Sequence, residues 1–251
     1  MGEMSLIEHL VELRRRLTRA VIALAAGTVV GYMVFPQLLD LIMEPYCHVV
    51  EHVRPDGSCS LVALTPLEPI SVRLKTSFVI GLFVGGPVIF YQLWRFITPG
   101  LTSTERRFAL PFVAMSQVMF AVGIVFSYLV IPYGLQTLLA LGGPRIEPLL
   151  SASEYLSFFL TLSIAFGVVF ELPLVLIFLS LVGILTSSAL RKARRYAILA
   201  CVIAAAVITP TNDAVTLFFM AGPMLVFYEL SIVAAWLIER RRRRIAERGA
   251  A

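Results

Sequence analysis

YLSFFLTLSIAFGVVFELPLVLIFLSLV, residues Tyr155–Val182, contains one charged side chain, Glu171, in a stretch longer than a bilayer requires. About 20 apolar residues suffice to cross roughly 30 Å of hydrocarbon as a helix. A helix that is apolar on every face has no polar side to offer water, so lipid is the solvent it is built for. Five further stretches read the same way: Thr18–Leu39, Thr76–Trp94, Phe108–Tyr133, Tyr196–Thr209 and Ala214–Ile238. Only 15% of the 251 residues are charged and 59% are apolar, and mean hydropathy is +0.87. A soluble domain usually carries about 25% charge. The expected fold is therefore all-α, a polytopic integral membrane protein with six transmembrane helices.

Basic loops stay in the cytoplasm, so the distribution of Lys and Arg orients the chain. Of the 21 Lys and Arg, all but Arg54, Arg73, Lys75 and Arg145 fall in alternate segments that include both ends. Both termini are expected in the cytoplasm. Arg14 to Arg16 before the first stretch, with Ala23-Leu24-Ala25 inside it, also resemble a cleavable leader. Apolar sequence continues well past Ala25, which favours a retained anchor. The net charge of +5 and the run Arg240–Arg244 raise nucleic acid as a ligand. The run directly follows an apolar span, where stop-transfer clusters grip anionic lipid headgroups, so membrane lipid and no nucleic acid is the expectation. Residues 1–240 read as a single six-helix domain and 241–251 as a basic cytoplasmic tail.

Ser5-Leu6-Ile7-Glu8 is a capping-box pattern, and Leu6, Leu10, Leu13 and Leu17 recur at helical spacing. A short amphipathic helix is expected ahead of the first span. The outer segment Asp40–Lys75 contains Pro45, Pro55, Gly57, Pro66 and Pro69, and reads as an irregular external cap. Gly27/Gly31 and Gly81/Gly85 are small-residue pairs at four-residue spacing; they permit close helix approach, or reflect only how common Gly is in lipid. No long internal repeat is evident.

No phosphate-binding loop, GxSxG elbow or dinucleotide fingerprint occurs, which argues against ATP hydrolysis. No enzyme activity, cofactor or metal is expected. His48-Val49-Val50-Glu51-His52 matches an inverted zinc-protease motif, but the segment around it is too short and proline-broken for a catalytic domain. Cys47 and Cys59 share an oxidising outer compartment. A disulfide is the preferred reading; zinc held with His48 and His52, or two free thiols, are the alternatives. Glu171 is costly against lipid, at least about 2.5 kcal/mol when ionised, so it should be protonated, paired, or facing a water-filled concavity. Pro173 cannot donate to the carbonyl of Val169, and a kink is expected there. Glu12 and Glu105 read alone as surface charges, yet both lie in segments assigned to the cytoplasm and either can accept paired hydrogen bonds from a guanidinium.

Taken together, Ser5-Leu6-Ile7-Glu8-His9-Leu10-Val11-Glu12-Leu13-Arg14, Trp94-Arg95-Phe96-Ile97-Thr98-Pro99-Gly100-Leu101 with Glu105-Arg106-Arg107, and Phe166-Gly167-Val168-Val169-Phe170-Glu171-Leu172-Pro173 resemble the TatC family of the twin-arginine translocase. The resemblance implies a core receptor within an oligomeric export complex, with TatA-like and TatB-like partners. It would bind twin-arginine signal peptides of folded precursors and draw on the proton motive force. It also implies that Glu12, Arg14, Phe96 and Glu105 form the signal-peptide site, that Glu171 is an intramembrane polar contact, and that Asp213 is an acidic group on the outer side. Two differences stand out: Thr209-Pro210-Thr211-Asn212-Asp213 is one residue longer than the common Thr-Pro-Pro-Asp turn, and Leu217 stands where some members carry glutamine. The alternative is an ion-coupled small-solute transporter using Glu171, a reading that leaves Glu12 and Glu105 without a role.

Overall fold

The computed structural model describes residues 6–50, 59, 61–97, 109–141, 150–208 and 214–249. Among the described residues seven helices follow one another: α1 (Leu6–Val50), α2 (Glu68–Ile97), α3 (Ala109–Leu141), α4 (Ala152–Phe170), α5 (Leu172–Val182), α6 (Ser187–Ile208) and α7 (Ala214–Gly249). Among the described residues five helical stretches are long and apolar enough to cross a membrane: Ile7–Val49, Glu68–Phe96, Leu110–Ala140, Ala152–Val182 and Thr216–Ile245. With α6 they make the six spans of an all-helical polytopic membrane protein. The chain divides into two compact units. The first holds α1, α2, α3 as far as Ala121 and the start of α4 to Leu160; the second holds the remainder.

In the first unit, the expected separate amphipathic helix does not exist. It is continuous with the first span in a single helix of 45 residues, about 67 Å long at 1.5 Å per residue. Leu10 to Arg19 are mostly strong helix formers, with no Gly or Pro to stop the helix. Ser5, the expected cap, lies outside the described residues. The irregular cap expected from Asp40 is also corrected, because α1 runs on through Pro36 and Pro45 to Val50. Tertiary packing overrides proline there. Tyr46 is fully buried with its ring 5.1 Å from that of Tyr155, and the Tyr155 hydroxyl donates to the Ile42 carbonyl at 2.6 Å.

The glycine pairs do bring α1 and α2 together. A methyl group on Gly27 would lie 2.5 Å from the Gly81 carbonyl oxygen, and one on Gly31 2.5 Å from that of Ser77. Gly85 is equally tight against the Ala23 carbonyl, at 2.9 Å. Only hydrogen at Cα permits this backbone approach, which in lipid supplies much of the attraction between helices. Trp94 then joins α2 to α3, donating through Nε1 to the Ser116 hydroxyl at 2.9 Å.

Residues 61–68 of the outer segment are organised by Glu68, which accepts backbone N–H groups from Leu64 at 2.6 Å and Ser153 at 2.7 Å. Val62 pairs with Ser151 in a single parallel bridge. Ser151 and Glu154 form a reciprocal capping box at the start of α4, at 3.1 and 3.2 Å. Cys47 and Cys59 are joined by a disulfide, with Cα atoms 5.3 Å apart; those sulfurs are not zinc ligands.

In the second unit, Gly123 lies so close to the Phe166 carbonyl that a methyl would sit 2.6 Å from its oxygen. The Ser127 and Ser163 hydroxyls share a buried hydrogen bond of 3.0 Å. The long apolar run breaks into α4 and α5 at Glu171, whose N–H turns to the Val168 carbonyl, three residues back, at 3.1 Å. Gly183, at φ 86°, ends α5 in the left-handed conformation that a side chain would resist. Leu190, Tyr228, Ile232 and Ala235 form a core between α6 and α7, and the Tyr228 hydroxyl donates to the Leu190 carbonyl at 2.7 Å. Arg194 and Glu229 pair across the same helices at 2.7 Å. α6 begins nine residues earlier than its apolar stretch, because Ser187 to Arg195 form a polar, helical first half. The basic segment set at 241–251 continues α7 without a break to Gly249.

Candidate functional site

Helical spacing places Glu8, Glu12, Arg15, Arg16 and Arg19 along one side of the first turns of α1. With Arg95 from the last turn of α2 they line an open cavity of about 580 Å³. The two helix ends are held together beside it by the rings of His9 and Phe96, stacked at 4.8 Å with 28° between their planes. Arg95 donates to the Tyr91 hydroxyl one turn back, which directs its guanidinium. Ile7, Leu10 and Leu17 are strongly exposed next to this charged face. The surface offers charge and apolar area together, as a ligand that is basic in one part and apolar in another would need.

Glu12 is the centre of the arrangement. Arg16, one turn on, donates to its Oε1 through Nε at 2.9 Å and again through a terminal nitrogen. Both donors converge on the one oxygen, and among the described residues no hydrogen bond reaches Oε2. The carboxylate side chain is 22% exposed and that of Arg16 13%. Glu12 thus already holds one guanidinium and keeps an acceptor oxygen for a second. Cations outnumber carboxylates around this cavity, so a cationic ligand needs that oxygen and a further acid.

Of the residues singled out from the sequence, the structure brings Glu12 and Phe96 to this surface. Arg14 is exposed and does not line the cavity; its carbonyl accepts the Thr18 hydroxyl at 2.8 Å. Glu105 and Asp213 lie outside the described residues. Glu171 belongs to the second unit, at the α4–α5 junction, where its carbonyl accepts the Val175 N–H at 3.0 Å ahead of buried Pro173. The pairing of Arg16 with Glu12 and the roles of His9 and Arg95 were not anticipated. The Glu12/Arg16 spacing of four was a readable signal; the His9–Phe96 stack was not.

An all-helical polytopic membrane protein with a part-buried, guanidinium-holding carboxylate lining an open cavity where two helix ends meet has the features of a recognition component. The family described as Sec-independent protein translocase protein (TatC) matches residues 8–223 of the chain. A TatC of Koribacter versatilis is 38% identical over 97% of this chain and 90% of its own length; that of Aquifex aeolicus is 37% identical over 96% and 99%. A crystal structure of the twin arginine translocase receptor TatC superposes with a TM-score of 0.79 at 36% identity, covering 92% of this chain and all of that one. A second crystal structure of that receptor, in DDM, gives 0.78 at 37% identity, covering 91% and 99%. The chain belongs to the TatC family.

Proposed function

We propose that this chain is the receptor component of a twin-arginine protein translocase, a membrane transport protein rather than an enzyme. It binds signal peptides bearing two adjacent arginines at its cytoplasmic face. The observation that carries this reading is Glu12, a carboxylate that lines the cavity and holds the guanidinium of Arg16 on one oxygen, with no hydrogen bond on the other among the described residues. A planar fork of donors fits a carboxylate in a way that a lysine ammonium does not, so such a site discriminates arginine from lysine. Glu105 adds the second carboxylate that two arginines require. Phe96 and the exposed leucines of α1 meet the apolar part of the peptide. The loop charges assign both chain ends and this site to the cytoplasm.

Beyond recognition, the receptor hands its cargo to TatA-like and TatB-like partners in an oligomeric complex driven by the proton motive force. Glu171 offers a polar contact within the membrane to a signal peptide or partner helix, and Asp213 an acidic one on the outer side. The family assignment sets aside the solute-transporter reading. Photoreactive groups at positions 12, 96 and 105 test the site: each should capture a twin-arginine precursor, and capture should fall to background when both arginines become lysines. Equal capture of both precursors would remove these residues from the recognition site.

A further inference from the structure

The five arginines from Arg240 to Arg244 do not act alike. Helical spacing puts Trp236, Glu239, Arg240 and Arg243 on one stripe of α7. That stripe faces the first turns of α6, and with Arg191 and Lys192 it lines a cavity of about 740 Å³. Arg242 instead donates to the Leu181 carbonyl at the end of α5, while Arg241 and Arg244 do not line the cavity.

The four cations around the cavity outnumber its one acid, Glu239, which interacts electrostatically with Arg243 and Arg191. Glu239, the acid among them, accepts the Ser187 backbone N–H at 2.6 Å and its hydroxyl at 2.7 Å. Among the described residues none of the four makes an ion pair. Arg240 is held over the Trp236 ring at 5.2 Å. Beside this stripe α7 presents Val233 and Leu237, each about half exposed, on the last turns of an apolar span. Trp is the residue that favours the headgroup level of a bilayer.

We propose that this cavity is a binding site for the phosphate headgroup of an anionic phospholipid. The phosphate sits among Arg191, Lys192, Arg240 and Arg243, and the acyl chains run down the exposed face at Trp236, Leu237 and Val233. Charge complementarity selects an anion. The exposed apolar side chains beside the cavity select lipid over an acidic peptide from solution, which has no use for them. The site goes beyond receptor function and stands whether or not Glu12 binds signal peptides.

The chain has two tryptophans, so Trp94→Phe leaves Trp236 as a single reporter in the full chain. In bilayers of phosphatidylcholine doped with brominated phosphatidylglycerol, Trp236 fluorescence should be quenched several-fold more effectively than with brominated phosphatidylcholine. One headgroup–cation contact of ~1 kcal/mol corresponds to about fivefold in association. Arg240→Gln with Arg243→Gln should therefore erase the preference. Arg241→Gln with Arg244→Gln, an equal charge loss on the same helix, should leave it within about twofold. Equal quenching by the two lipids, or equal losses in the two double variants, would overturn the proposal. Release of quenching by millimolar inorganic phosphate would assign the cavity to a free anion instead. Release by soluble oligoglutamate, absent from the Arg240/Arg243 variant, would assign it to an acidic peptide.

Discussion

Replacing Gly27 by valine should separate the two helices that carry the receptor surface. A methyl carbon built on Gly27 lies 2.5 Å from the Gly81 carbonyl oxygen, whereas ordinary van der Waals contact begins near 3.4 Å. Both sides of this contact are backbone, so no side chain can swing away, and α1 and α2 must part by about 0.9 Å. Overpacking of this kind costs about 1–3 kcal/mol. In a chain of this size it corresponds to a fall of roughly 2 to 12 °C in melting temperature. Thermal unfolding of the purified protein in detergent measures it, with Gly222→Val as the control, because no atom lies within 4 Å of a methyl added there. Gly27→Val should be clearly less stable than Gly222→Val. If the two melt together, the glycine seam does not hold α1 to α2.

Serine at both Cys47 and Cys59 should cost the cap about 3 kcal/mol, given the 12-residue separation of the bridged positions; alkylation of both thiols in native membranes, seen by nonreducing mass spectrometry, would contradict the bridge. The apolar half of α6, from Tyr196 to Ile208, spans only about 20 Å at 1.5 Å per residue, short of the roughly 30 Å of hydrocarbon. Spin labels along it should report a compressed polarity profile, with lipid thinned or water admitted beside it, and a full-thickness profile would refute this. If Glu171 is a polar docking group, Glu171→Gln should retain most transport and Glu171→Leu should lose it at normal protein levels. Failure of both would point to proton exchange, and normal transport by the Leu variant would leave Glu171 with no role.

The apolar runs were legible because lipid imposes one rule on every spanning helix, and the break at Glu171-Leu172-Pro173 was legible because proline acts locally. Glu12 and Phe96 could be picked out by their motifs. The course of α1 past Asp40 and through Pro45 could not, since residue preference argues against helix there and the deciding contact, Tyr155 on Tyr46 and Ile42, comes from distant sequence. Nothing in the sequence singles out Glu68; its role depends on the Ser153 N–H, again remote. The glycine pairs left two readings open, and only the backbone distances choose between them. The basic run was read as uniform because sequence does not show which arginines face α6.

The most direct test of the receptor account is a double-mutant cycle between Glu12→Gln and arginine-to-lysine changes in a twin-arginine signal peptide, read as binding to the purified chain in lipid nanodiscs. A charge-assisted hydrogen bond contributes about 1.5–3 kcal/mol, so the peptide change should cost wild-type protein roughly tenfold or more in affinity and cost the Glu12→Gln variant much less. A coupling of at least about 1 kcal/mol is the predicted result. Additive losses, with coupling near zero, would show that Glu12 does not hold a signal-peptide arginine.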